Sequence, residues 1–200
     1  MNRRLFVPAV ALVAAGLTTV ASFASGPQIR VQRIDAVQPV NPAMVLPRVE
    51  KAVCVLLPVG DSEVSGVLMF EQQGNSVKVT GKVKGLEPGD HGFHVHQFGD
   101  LTDMETGKSA GGHMDVGEHM HGKPSDKNRH TGDLGNITAD ENGVAEVEMT
   151  DKVIALNGVN SIVGRGFIVH AKPDDFGQPT GNAGARVAIG VIGVAQDGIK

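Results

Sequence analysis

The sequence predicts an all-β fold: an eight-stranded antiparallel Greek-key β-barrel or sandwich with long polar loops. Three observations predict it. Over 200 residues there are 27 Gly and 10 Pro but only 20% charged residues, the opposite balance to that of a helical bundle or coiled coil. From Ala52 onward, short apolar segments closed by turn residues recur at brief intervals, as short strands do. No segment sustains a long 3.6-residue period, and 40% hydrophobic residues are enough for one sizeable core.

The elements follow in order. Residues 52–57 and 66–70 are compact apolar runs rich in β-branched side chains. Residues 76–83 alternate Val77, Val79, Gly81 and Val83 against Ser76, Lys78, Thr80 and Lys82, the period-2 pattern of a half-buried strand. Leu86-Glu87-Pro88-Gly89 then breaks the chain before a strand at 93–96. Strands at 134–139, 144–150, 167–170 and 186–194 complete the eight.

Ahead of this domain, assigned to residues 51–200, the chain reads as two appendages. Residues 1–24 have the form of a cleaved export signal: Arg3 and Arg4, an apolar run over 5–20, then Ser22-Phe23-Ala24 where a signal peptidase needs small residues. The run of 16 residues is interrupted by Pro8 and falls short of the roughly 20 that span a bilayer, so no stable membrane anchor is expected. Arg3-Arg4 also echoes a twin-arginine signal. Residues 25–50, with Pro27, Pro39, Pro42 and Pro47, read as a linker or extended arm. An exported protein, periplasmic or extracellular, is the expectation.

Charge and cysteine usage exclude several classes. Asp and Glu number 22 against 18 Lys and Arg, which offers no electrostatic case for nucleic acid as partner. Removing Arg3 and Arg4 with the signal leaves 16 basic residues against 22 acidic, a formal charge of -6. The one cysteine, Cys54, excludes an intramolecular disulfide and any thiolate cluster. It lies between Val53 and Val55 in the first strand, where a buried thiol is an ordinary core residue.

All eight histidines fall between His91 and His170. His94 and His96, two apart on a strand, point to the same face and can reach one metal ion. His113, His121, His130 and Asp133 lie in a glycine- and proline-rich stretch with few apolar residues. A loop of that length needs something else to order it, and three imidazoles with one carboxylate make a closed four-coordinate set for zinc. The plainer alternative is a polar surface loop with incidental histidines. His119, two residues before His121, is either a competing ligand or a solvent-exposed bystander, and His91 is unassigned.

Four longer motifs surround these histidines: His91-Gly92-Phe93-His94-Val95-His96, His121-Gly122-Lys123-Pro124, Arg129-His130-Thr131-Gly132-Asp133-Leu134-Gly135-Asn136 and Gly181-Asn182-Ala183-Gly184-Ala185-Arg186. Through them residues 52–196 resemble copper/zinc superoxide dismutase, close to the eukaryotic-type pattern. The resemblance implies long metal-binding loops on the barrel. It implies a copper ion held by His94, His96, His113 and His170, and a zinc ion held by His113, His121, His130 and Asp133, with His113 as a bridging imidazolate. Asp174 matches the carboxylate that holds one copper histidine and one zinc histidine by their free ring N–H groups. Arg186 matches the arginine that attracts the substrate anion beside the copper. The implied activity is dismutation of superoxide to dioxygen and hydrogen peroxide, with His113 and Arg186 as catalytic residues.

The sequence departs from that family in three places. The intrasubunit disulfide is absent: no cysteine lies near Gly107-Lys108-Ser109-Ala110, and Ile189 stands where the second cysteine would be. The loop from His96 to His113 is longer. Asp174-Asp175-Phe176-Gly177-Gln178-Pro179-Thr180 runs directly into the glycine motif, so part of the electrostatic loop is missing. A homodimer is compatible with the retained Gly190-Val191-Ile192-Gly193, while the disulfide loop that shares the family's dimer contact is altered. Two rival functions are a copper-binding or trafficking module and a structural domain using only zinc; both leave Arg186 without a role.

Overall fold

In the computed structural model, residues 47–198 are described. The expected signal segment at 1–24 and the arm as far as residue 46 lie outside the described residues. Eight strands form: β1 (Lys51–Pro58), β2 (Ser65–Gln73), β3 (Ser76–Lys84), β4 (Gly89–His96), β5 (Asp133–Ala139), β6 (Val144–Asp151), β7 (Gly166–His170) and β8 (Arg186–Val194). Every ladder is antiparallel, in the order β5-β4-β7-β8-β1-β2-β3-β6. The end strands β5 and β6 face each other without a ladder, so the barrel is nearly closed. Connections β3–β4 and β6–β7 cross between non-neighbouring strands, the Greek-key pattern.

Alternation decides which side chains enter. Ala52, Cys54 and Leu56 of β1 are buried, while Val55 and Leu57 are exposed. Leu68, Phe70, Val77, Val79, Val83, Val147, Val169 and Ile192 fill the same core. Phe167 sits at its centre, with ring centroids 5.7 Å from Phe70 and 4.5 Å from Phe93. Burying each such side chain contributes about 1.5–3 kcal/mol.

One predicted boundary is corrected. β4 begins at Gly89, not residue 93, because Gly89, Asp90, His91 and Gly92 ladder with Ala139, Thr138, Ile137 and Asn136 of β5. Pro88 and Gly89, with φ 122° at Gly89, mark the entry to the strand and do not delay it. Between Gly92 and His94 the register shifts, bringing His94 opposite Asp133. A bulge of this kind re-aims a strand's side chains.

The long β4–β5 connection is stitched to β4 at both ends. Met114 N–H donates to Val95 O (2.8 Å), Val95 N–H to Gly132 O (3.0 Å) and Gly132 N–H to Met114 O (2.8 Å). A short 3-10 turn, Lys108–Ala110, lies within it. Nearby, Val59, Ala110, Ile168 and Ile189 form a second apolar cluster, with Leu101 and Met104 packed against it. Ile189 thus meets the loop through apolar contacts at the place where the resembled family has a disulfide.

Candidate metal centre

The sequence brings three donor groups together. His94, His96, His113 and His170 form one, His113, His121, His130 and Asp133 a second, and His94, His121 and Asp174 a third; within each, the donor atoms lie within 4.8 Å of one another. β4 supplies His94 and His96, the end of β7 supplies His170, the start of β5 supplies Asp133, the β4–β5 connection supplies His113, His121 and His130, and the β7–β8 connection supplies Asp174. His96 and His113 also form an isolated antiparallel bridge, which locks the shared histidine beside the strand.

Hydrogen bonds fix the tautomers in the first group. His94 Nε2–H donates to Asp174 Oδ2 (2.8 Å), His96 Nδ1–H to Gly111 O (3.0 Å) and His170 Nδ1–H to Gly184 O (3.3 Å). A carbonyl oxygen only accepts, so the proton of His96 and of His170 sits on the bonded nitrogen. The opposite atoms, His94 Nδ1, His96 Nε2 and His170 Nε2, are buried and have no hydrogen-bond partner among the described residues. Buried polar atoms left unsatisfied are costly, and lone pairs converging from an all-imidazole set suit copper. Burial lowers His96 well below its ordinary value, helped by the charges of His113, Arg186 and His170. Burial also lowers His170 to about 3 and, against the opposing hydrogen bond that His113 donates to Asp133, His113 to about 4. These three rings are neutral at pH 7, as metal ligation requires.

In the second group Asp133 is the hub. His113 Nδ1 lies 2.7 Å from its Oδ1 and His130 Nδ1 3.2 Å from the same oxygen. His121 Nδ1 lies 3.0 Å from Oδ2 without hydrogen-bond alignment, and is itself unpartnered. Donors about 2.0–2.1 Å from a tetrahedral zinc ion stand roughly 3.3 Å apart, so this spacing fits zinc with little rearrangement. Burial would raise the Asp133 carboxyl, but the hydrogen bond from His113 and the close approach of His121 hold it well below the usual range. His121 shows the reverse balance: burial lowers it, while Asp133 and Asp174 together push it up to about 9.

Asp174 joins the two groups. Its Oδ1 accepts from His121 Nε2–H at 2.9 Å and its Oδ2 from His94. Asn136 grips its main chain, donating from Nδ2 to Asp174 O (2.9 Å) and accepting from Asp174 N–H at Oδ1 (2.7 Å). Gly181, at φ 75°, permits the close approach; a Cβ there would stand 1.8 Å from Asp174 Oδ1.

The first group opens onto a cleft of about 340 Å³ lined by His96, His113, His170, Thr180, Asn182 and Arg186, among others. Arg186 donates from its two terminal nitrogens to Gly107 O and to Gly111 O, the latter at 2.6 Å. Gly111 O therefore holds both a histidine of the first group and the guanidinium. Burial lowers the Arg186 pKa, with Asp103 opposing; a guanidinium stays charged regardless.

The remaining histidines fall outside the donor groups. His119 Nδ1 lies 2.7 Å from Asp115 Oδ1 and its side chain is 41% exposed. His91 is buried with its ring nitrogens each 2.8 Å from a carbonyl, His170 O and Glu87 O. Sequence reasoning missed Asn136 as an anchor of Asp174, and Gln178, whose carboxamide pairs with the main chain of His121. Asn136 stood within a quoted motif; Gln178 carried no signal.

Comparisons with known proteins agree with this geometry. The model of the family described as copper/zinc superoxide dismutase (SODC) matches residues 64–192. Over 151 residues the chain is 51% identical to superoxide dismutase (Cu-Zn) A of Xenopus laevis, covering 72% of this chain and 97% of that protein. The crystal structure of the clock protein EA4 aligns with a TM-score of 0.70 at 40% identity, covering 76% of this chain and 98% of that one.

Proposed function

We propose, since this chain belongs to the copper/zinc superoxide dismutase family, that His94, His96, His113 and His170 hold its copper and that His113, His121, His130 and Asp133 hold its zinc. The chain is a superoxide dismutase with copper and zinc as cofactors. When bound, copper supplies the one-electron couple for the two half-reactions and zinc supplies fixed positive charge. The protein's own groups do the rest. Arg186 attracts the superoxide anion and orients it in the cleft, its guanidinium held by two carbonyls so that little reorganisation is needed. His113 turns Nδ1 toward Asp133 and the zinc set; with zinc on that nitrogen in place of its proton, Nε2 would hold a proton on the side of the cleft and pass it to the reduced dioxygen species. Asp174 keeps the Nε2 protons of His94 and His121 away from the metals.

The observation that carries this reading is the set of three buried ring nitrogens, unpartnered among the described residues, in a group that opens through His96 and His170 onto the cleft lined by Arg186. Superoxide consumption by metal-loaded protein, against a metal-free control, tests it. One copper and one zinc per chain are expected; zinc alone, with His94→Ala leaving metal content unchanged, would defeat the copper assignment. The copper-trafficking and zinc-only readings give Arg186 nothing to do in the cleft.

Export to the periplasm or exterior rests on residues 1–24, and exported protein that begins at or near Ser25 would support it; an intact Met1 would overturn it. No helix among the described residues is long and apolar enough to cross a membrane. A homodimer is favoured by Val55 and Val67, cross-strand partners exposed on one face, and by Phe98, 55% exposed, whose neighbour Gly99 lies against Val191. Sedimentation of the full chain and of Phe98→Glu tests this: the parent should sediment as a dimer and the variant as a monomer.

A further inference from the structure

We propose that Gln178 is a positioning residue for the zinc site: its carboxamide fixes the main chain of His121 and so aims the ring of that ligand. The proposal rests on the assignment of His121 to zinc.

His121 lies outside every strand. Among the described residues, its main-chain N–H and C=O have one partner each, and both belong to Gln178. His121 N–H donates to Gln178 Oε1 (3.1 Å), and Gln178 Nε2–H donates to His121 O (2.7 Å). The planar amide offers a donor and an acceptor side by side and closes a ring of two hydrogen bonds with the main chain of one residue. Glutamate cannot donate to the carbonyl, and alanine can do neither.

The direction of dependence follows from what else holds each partner. The loop bearing Gln178 is closed without it: Asp175 N–H donates to Gly181 O (2.9 Å) and Gly181 N–H to Gly177 O (2.7 Å). Asp175 Oδ2 accepts from Asn182 Nδ2 (3.0 Å), and Asn136 grips Asp174. The segment bearing His121 is held on either side of it, Gly122 N–H donating to Asp133 Oδ2 (3.0 Å) and Met120 N–H to Asn128 Oδ1 (3.4 Å), but Val116, His119 and Met120 are exposed and His121 itself has its main-chain partners only in Gln178. The β7–β8 loop therefore acts on His121 at three points: Asp174 at the ring N–H, Phe176 beside the ring (centroids 6.5 Å apart, planes at 17°), and Gln178 at the main chain. Without the third, the main chain of His121 loses both its partners, zinc itself must fix that residue between its anchored neighbours, and affinity falls by that cost.

The experiment uses the full chain and two substitutions, Gln178→Ala and Gln178→Glu. Gln178 is exposed on its outer side, so neither change opens the core, and Gln178→Glu serves should the alanine variant fail to fold. Zinc affinity is read by competition with a chromogenic chelator, and site geometry by the visible bands of cobalt(II) loaded in place of zinc. Both variants should bind zinc roughly 10- to 100-fold more weakly, with weakened and shifted cobalt bands, while the melting temperature of metal-free protein stays near that of the parent. Competition curves within twofold of the parent, or a loss of metal-free stability as large as the loss in the zinc form, would overturn the proposal alone. A parent chain that takes up no zinc would remove the proposal together with the assignment beneath it.

Discussion

Replacing Asp174 by Asn is the sharpest probe of how the two metal sites are joined. The native carboxylate accepts from His94 Nε2–H at 2.8 Å and from His121 Nε2–H at 2.9 Å, one ring on each oxygen. Burial would raise this carboxyl, but the hydrogen bonds from His121 and His94 hold it below the usual range, so it stays anionic. An asparagine has nearly the same shape but turns one oxygen into an amide N–H₂. Whichever way the amide faces, one ring N–H then confronts a donor. That ring must move its proton to the other nitrogen, His94 Nδ1 or His121 Nδ1, each of which faces its metal group without a hydrogen-bond partner. Losing one hydrogen bond to a charged group costs about 1.5–3 kcal/mol, which is roughly 10- to 150-fold in metal affinity at 1.4 kcal/mol per decade. Because the amide can satisfy only one ring, one metal should be weakened far more than the other. Chelator titration resolves this, reading copper by its visible absorbance and zinc by a chromogenic competitor. Both affinities within twofold of the parent would refute the tautomer argument.

Four further outcomes are expected. Arg186→Ala should lower the rate on the order of tenfold or more while both metals stay bound. Because part of the guiding loop is missing and residues 25–200 carry a formal charge of -6, the parent rate should depend only weakly on ionic strength beyond a Debye length of about 8 Å at 0.15 M; a steep fall with salt would show that other residues restore the steering. Thermal unfolding should ignore reductant, since the only cysteine is buried and unpaired, yet drop by about 10 °C when a chelator strips metal bound a thousandfold above its Kd; a reductant effect on soluble protein would count against this. Alkaline unfolding should trace to Cys54, which burial pushes from 9.0 up to about 12. The folded pKa is raised, so the thiol's contribution is complete below pH 9 and is lost as pH climbs toward 12, by about 4 kcal/mol over the window. Cys54→Ala should flatten denaturant midpoints between pH 9 and 11, and an unchanged slope would show that another group is responsible.

What the sequence made legible follows from the range over which each signal acts. Alternation in residues 76–83 is local, so β3 and its inward valines could be read directly, as could the shared face of His94 and His96. The start of β4 could not, because Gly89–Gly92 extend only through their ladder to β5, some fifty positions on. Asp174, His170 and Arg186 carried no local cue and were approached through family resemblance; the chain closes back on itself to set Asp174 beside His94, 80 positions away. Gln178 and Asn136 were unreadable for a different reason: an amide bonded to a main-chain group needs no particular side chain opposite it. His119 was ambiguous because its spacing from His121 suits a ligand, yet Asp115, four positions earlier, engages it first. Leu101 and Met104 gave no hint that they would pack beside Ile189.

That apolar fastening changes what kind of population the folded protein is. A loop closed by Leu101, Met104 and Ile189 leaves no oxidised and reduced fractions to sort, no mispaired isomer to rescue, and no oxidoreductase whose supply limits yield. With Cys54 sealed in β1, folded molecules cannot couple to one another through sulfur either. The exchange is in how the closure fails. A covalent bond breaks at a redox threshold, whereas packing loosens gradually with heat, and the loop that loosens here carries Gly107 and Gly111, whose carbonyls hold the guanidinium of Arg186. Warming should therefore blur the anion's approach before the barrel melts.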